Sequence, residues 1–184
     1  LDFDNVSVVG IMNADNMLNF PDFRAYERSF QLMAQVSGRA GRKKKQGKVI
    51  IQTSSPDNEI IKDVVKNDFE NFFKSQMAER RMFKYPPYFR IIKINLKHKD
   101  KEAAQKAANW MAGELKKRFG KQVLGPEAPL VSRIQNWHLL SIVLKLEKNN
   151  EVGAHKELIK KLSAFIKQQK GFSTLQIGID VDPY

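Results

Sequence analysis

Two adjacent prolines, Pro86 and Pro87, divide this chain of 184 residues into halves that follow different periodicities. Neither can continue a helix, and each drives the residue before it toward extended geometry. Ahead of them lies a run of helical signals, and behind them a strand-like alternation begins at Arg90 (RIIKINLK). The pair sets a boundary, with one unit over 1–85 and another over 86–184.

The first unit reads as part of a parallel α/β domain. Residues 6–12 (VSVVGIM) form a nearly continuous β-branched run, the pattern of a strand buried on both faces. Asp22 is expected to cap a helix running to about Gly41, with Phe30, Met33, Val36 and Ala40 as its apolar stripe. Gly47 opens a second buried strand over 48–53, and two helices follow near 58–67 and 68–83. Strand, helix, strand, helix is half of a parallel α/β domain.

The second unit reads as an α+β arrangement that closes on itself. A strand over 90–97 leads to a helix over 101–119, with Ala104, Ala107, Ala108, Met111 and Leu115 on one side. Strands over 129–135 and 138–146 are separated by Asn136-Trp137. A helix over 151–169 and a strand over 175–181 complete the unit. The order βαββαβ is ferredoxin-like, a four-stranded sheet with two helices on one face and the other face free for a ligand.

Charge is split unevenly at the same boundary. Residues 1–85 hold 14 Lys/Arg against 11 Asp/Glu, whereas residues 86–184 hold 18 against 9. A domain of that balance attracts polyanions by steering and counterion release, which points to nucleic acid. The plainer alternative is a solvated lysine-rich surface. There is no cysteine, hence no disulfide framework and no thiolate zinc site, which suits a reducing cytoplasm. No apolar run approaches the ~20 residues of a membrane span, so no membrane partner is expected. The opening Leu1-Asp2-Phe3-Asp4 has neither an initiator Met nor a signal-peptide profile, and reads as a chain cut in mid-domain.

The most specific string is Gln35-Val36-Ser37-Gly38-Arg39-Ala40-Gly41-Arg42. On a continuous helix Gln35, Arg39 and Arg42 fall within about 60° of one another, opposite the apolar stripe. Gly38 and Gly41 flank them and admit a close backbone or ligand, although each costs about 1 kcal/mol relative to Ala inside a helix. An amide beside two planar guanidiniums suits stabilisation of phosphoryl charge in a transition state. A basic helix end resting on its own dipole is the alternative.

Gln-x-x-Gly-Arg-x-Gly-Arg resembles motif VI of superfamily 2 helicases, and Leu1 to Val6 with the strand behind it resembles the tail of motif V. The stretch Ala14-Asp15, then Phe20 to Arg28, narrows the resemblance, as do Val49 to Thr53, Glu79-Arg80-Arg81 and Tyr85-Pro86-Pro87-Tyr88. Together with Leu124-Gly125-Pro126 and the closing Ile179 to Pro183, they resemble the PriA family of bacterial replication restart helicases from end to end.

The resemblance implies an ATP-dependent 3′→5′ DNA helicase that recognises stalled forks and restarts replication by primosome assembly. It implies the end of a RecA-like motor lobe followed by a basic, ribosomal-protein-like domain. Arg42 is then the catalytic arginine finger, with Arg39 in support. Gln35, Gly38, Gly41 and Asp2 are placed at the nucleotide. Forked and single-stranded DNA, single-stranded DNA-binding protein and primosome proteins are the implied partners, in a cytoplasmic, nucleoid-associated setting. ATP and Mg serve the family's full-length enzyme, and zinc its upstream cysteine-rich insertion. This chain has no Gly-x-x-x-x-Gly-Lys-Ser/Thr loop and no Asp-Glu-x-His element, so it is expected to bind none of the three and to lack ATPase activity alone.

For DNA the candidates are Lys97, Lys99 and Lys101 at one strand end, with Arg133 and Trp137 from RIQNWH. Single strands are held by basic grooves with stacking rings. Trp137 is read equally as such a ring or as a plug over the sheet. Lys156, Lys160 and Lys167 line the outer side of the last helix, read first as a solvated face. Asp180 and Asp182 alternate on a strand and could share one side, but two carboxylates are too few for a hard cation. His98, His138 and His155 have no ligand spacing, so no metal site is expected. Two rival functions are a stand-alone ribosomal-protein-like RNA binder and a module holding an acidic protein tail. The first leaves the Gln35–Arg42 string unexplained.

Overall fold

The computed structural model describes residues 6–40, 47–148 and 152–183. The chain divides into two compact units, 1–80 and 81–184, so Pro86-Pro87 lies just inside the second.

In the first unit β1 (Val8–Ile11) leads to a short helix, α1 (Ala14–Leu18), and then to α2 (Ala25–Ser37). After β2 (Lys48–Ile51) come α3 (Glu59–Lys66) and α4 (Phe69–Met82). The two strands pair in parallel, Val8 opposite Lys48 and Ile11 opposite Ile51. Ile11, Val49 and Ile51 join a core with Phe30, Met33, Ile60, Ile61 and Phe72. The opposite side of the sheet carries Val8 and Ile50, exposed by 56% and 50%. The strands are therefore buried on one face and not on both. Among the described residues helices pack against one side of the sheet, and β-branching alone does not tell a one-sided strand from a two-sided one.

Local chemistry sets the helix limits. Asn58 accepts the Ile60 N–H at 2.9 Å to start α3, and Asn67 ends it in the left-handed region at φ 54°. Asp68 accepts the Asn71 N–H at 2.9 Å to start α4. The expected cap Asp22 lies further upstream: its carboxylate accepts the Arg24 N–H at 2.8 Å, and α2 begins only at Ala25. The helix stops at Ser37 rather than near Gly41. From there Arg39 and Ala40 donate to the carbonyls three residues back, at 3.1 and 3.2 Å. Helical spacing from Gln35 therefore does not extend to Arg39, and Gly41 and Arg42 lie outside the described residues.

The second unit begins its sheet with β3 (Phe89–His98), followed by α5 (Lys101–Phe119) and a 3₁₀ turn at Gly120–Gln122. Then come β4 (Val123–Glu127), β5 (Arg133–Ile134), β6 (Trp137–Glu147), α6 (Val152–Gln168) and β7 (Gln176–Val181). The main sheet runs β4-β6-β3-β7 with every pair antiparallel, which is the ferredoxin-like order. Ile92, Ile94 and Leu96 of β3 and Leu140, Ile142 and Leu144 of β6 point to one face. There they meet Ala104, Ala108, Met111 and Leu115 of α5, with Ile159 and Ile166 of α6.

One strand differs from expectation. The second strand of the ferredoxin-like order is β4 at 123–127, and of 129–135 only Arg133 and Ile134 pair, forming a small ribbon with β6. Gly125 and Pro126 make this segment look like a turn. It lies at the sheet edge, where proline is tolerated, and carries a register shift between Leu124 and Glu127. Gly125 has φ 87°, and a Cβ there would sit 2.8 Å from the Ser141 carbonyl oxygen. Only glycine fits.

Candidate nucleic-acid interface

Alternation along β3 and β6 turns Lys97 and Trp137 to the face opposite the helices. Lys97 lies across from Leu139, so Trp137 is its diagonal neighbour, within reach of a long side chain. The Lys97 and Lys99 ammonium groups lie 5.7 and 5.6 Å from the centroid of the Trp137 ring. At that distance an indole attracts a cation by about 0.5–1 kcal/mol when exposed. Both lysines are exposed and Trp137 is half-buried. The ring is therefore anchored on one side and flanked by charge on the other.

Trp137 is not in the turn. It is the first residue of β6, opposite Ile134, and the turn is Gln135-Asn136 with Gln135 at φ 53°. Arg133 lies opposite His138 and is used within the turn, its guanidinium donating to the Gln135 carbonyl at 3.0 Å and the Asn136 side chain at 3.4 Å. The structure thus brings together Lys97, Lys99 and Trp137, while Arg133 closes the hairpin. Lys101 is exposed at the start of α5.

His98 was invisible as a functional residue, yet it supports this cluster. The Asp100 N–H donates to its Nδ1 at 3.0 Å, and its Nε2 lies 2.8 Å from the Thr174 hydroxyl. This buried ring ties the end of β3 to the approach to β7 and fixes where Lys97 and Lys99 emerge. Asp100 also accepts the Ala103 N–H at 2.6 Å as the cap of α5.

Further along the open face, Ser141 donates to Asn95 at 2.8 Å and Asn95 to Asp180 at 3.3 Å. Asp182 does not share that site. It leaves the strand at φ 50°, accepts the Ile91 N–H at 2.9 Å and faces Arg90 at 3.6 Å. Among the described residues no group of three or more His, Asp or Glu side chains could hold a metal ion. No helix among them is long and apolar enough to cross a membrane.

Near the far end of β6 Lys145 donates to the Phe83 carbonyl at 2.8 Å and lies 3.7 Å from the Tyr85 ring centroid. Burial, then the nearby Lys84 charge, pushes its pKa below the ordinary 10.5.

In the first unit Gln35 is exposed in the last turn of α2, Gly38 is its C-cap and Arg39 lies exposed beyond it. A Cβ at Gly38 would make only ordinary contacts, 3.6 Å from the Ala34 carbonyl oxygen, so packing within the unit does not require glycine there. Asp2, Gly41 and Arg42 lie outside the described residues.

The family model for the primosomal protein N C-terminal domain matches residues 81–184. The chain belongs to that family. Replication restart protein PriA of Bacillus subtilis is 38% identical over 186 residues, covering all of this chain and 23% of the relative. The Synechocystis protein of that name is 32% identical over 185 residues, covering all of the chain and 21% of the relative. The Borreliella burgdorferi one is 34% identical over 185 residues, covering 98% and 27%. The chain thus spans about a quarter of the length of these PriA relatives. As a member of the PriA C-terminal family it is a mixed α/β chain with one parallel and one antiparallel sheet.

Proposed function

We propose that the chain is part of a PriA-type, ATP-dependent 3′→5′ DNA helicase that restarts replication, and that residues 81–184 hold single-stranded or forked DNA. The observation that carries the DNA reading is the pair of ammonium groups over the half-buried Trp137 ring. Phosphates exchange condensed counterions for Lys97, Lys99 and Lys101, and a splayed base stacks on the indole. No recognition-helix motif offers side chains to base edges, so sequence preference is weak.

In the same reading residues 1–80 end a motor lobe. Arg39 and Arg42 meet the charge developing on the transferred phosphoryl group, Arg42 as the finger, while Gln35 orients the nucleotide. ATP and Mg are held by the family's other lobe and zinc by its cysteine-rich insertion. The chain alone therefore hydrolyses no ATP. Single-stranded DNA-binding protein and primosome proteins are its partners, in a cytoplasmic, nucleoid-associated setting.

Titration of a labelled single strand at several salt concentrations tests the DNA reading. With about four phosphates contacted, log K falls against log salt with a slope near −3, at ~0.7 per phosphate. Affinity that ignores salt, or no binding at low ionic strength, removes it.

A further inference from the structure

The helices of the second unit carry positive charge away from the Trp137 cluster. Leaving aside Lys101, which belongs with that cluster, α5 and α6 carry eight Lys/Arg against three Glu. On α5, Lys106, Trp110, Gly113 and Lys117 lie within about 60° of one another at 100° per residue. Trp110 is rooted at the edge of the core, and Phe165 of α6 stacks on it with ring centroids 5.5 Å apart and planes 21° apart. Phe165 remains 52% exposed, and Lys161 stands exposed one turn before it on α6.

Gly113 is the telling neighbour. A glycine inside an exposed helix weakens it relative to any ordinary residue. A Cβ there would meet no atom within 4 Å, so nothing in the unit's own packing calls for its absence. A bare backbone between lysines on the same stripe lets an outside chain approach the helix closely. The lysines carry ion pairs, Lys106 to Glu102 at 3.7 Å and Lys117 to Glu114 at 2.6 Å, but exposed pairs of this kind are weak and exchange readily for a phosphate.

We propose that this helical face is a second binding site for single-stranded nucleic acid, separate from the Trp137 cluster on the opposite face of the sheet. Phosphates run past Lys106 and Lys117 across Gly113, and a base stacks on the open side of Phe165. Polyanion charge matches the lysines, while the exposed Phe165 ring stacked on Trp110 suits a base better than a carboxylate side chain.

The test uses the full 184-residue chain and a thymidine strand carrying 5-iodouracil, which on irradiation joins to the aromatic ring it touches. Expected are adducts at Phe165 or Trp110 in addition to Trp137. Phe165→Ala weakens binding of a long strand about fivefold or more, the loss of one stacked base, while Phe165→Trp keeps it. Gly113→Gln raises the melting temperature, because glutamine favours the helix, yet weakens binding. Opposite signs of those two effects exclude a merely structural role. Adducts confined to Trp137 overturn this proposal and leave the sheet-end reading standing. Adducts confined to Phe165 and Trp110 do the reverse. If Phe165→Ala and Gly113→Gln weaken binding of poly-glutamate but not of the strand, the face belongs to an acidic protein and the proposal fails.

Discussion

In the DNA reading proposed above, Trp137 and the lysines beside it act by different physics, and substitutions separate them. Removing the ring in Trp137→Ala is expected to cost about 1–3 kcal/mol of single-strand binding without changing the salt slope. Replacing Lys97, Lys99 and Lys101 with alanine flattens the slope by ~0.7 for each phosphate that is no longer neutralised. The chain's two tryptophans are Trp110 and Trp137, so the emission of Trp110 in the first variant reports whether the unit remains folded. A second residue-scale expectation concerns the longer PriA-type enzyme. There Arg42→Ala should lower kcat by about 10³ or more while ATP binding changes much less, because a finger acts on charge present only in the transition state. Loss of ATP affinity with kcat retained would make Arg42 a ground-state anchor instead.

Between elements of the first unit Asp15, at the start of α1, makes a threefold polar tie. Its carboxylate accepts from the Thr53 hydroxyl at 2.6 Å, and from the Ser54 N–H and hydroxyl at 2.8 and 2.9 Å, just past β2. These bonds, that of Thr53 foremost, hold its pKa below the ordinary 3.8. A depressed carboxylate stabilises the fold above its unfolded pKa, and that contribution is lost as pH falls through the lower, folded value. Asp15→Asn should therefore reduce stability at neutral pH and remove part of the acid-induced loss below 3.8. Urea unfolding followed by circular dichroism at several pH values checks both signs; an acid limb identical to wild type would show that Asp15 does not bear on it.

Elements written in local pattern were legible before the structure. The alanine-rich stripe marks α5 over 101–119, and it forms there. The edge strand β4 was not, because Gly125 and Pro126 carry turn chemistry and the need for Gly125 arises from Ser141, sixteen positions away. The candidate site was legible in kind only. Lys97, Lys99 and Trp137 are ordinary signals of a single-strand binder, but their meeting depends on the register of β3 against β6. The bond from His98 to Thr174 spans 76 positions and leaves no trace in either local sequence. Arg133 shows the converse, a basic residue in a suggestive string that the hairpin itself employs.

At the scale of the whole chain, the second unit has a ferredoxin-like sheet and its own core, whereas the described residues of the first hold two strands with one exposed sheet face. Residues 81–184 made alone should unfold in one cooperative step, seen as coincident transitions in tryptophan emission and circular dichroism. A disordered spectrum for that piece would refute its independence. The same sheet also has a history in time. β3 sits between β6 and β7, and its partner on the β7 side, Val181 opposite Ile92, is made 89 positions later. While the ribosome works through that interval, β3 can zip to β6 but keeps one side of unpaired N–H and C=O groups. Such a bare edge is a template for another copy of itself. Synthesis halted at Leu175 should leave chains that associate through β3, whereas finished chains carry their own cover strand. The speed at which the codons of β7 are read therefore bears on the domain's yield.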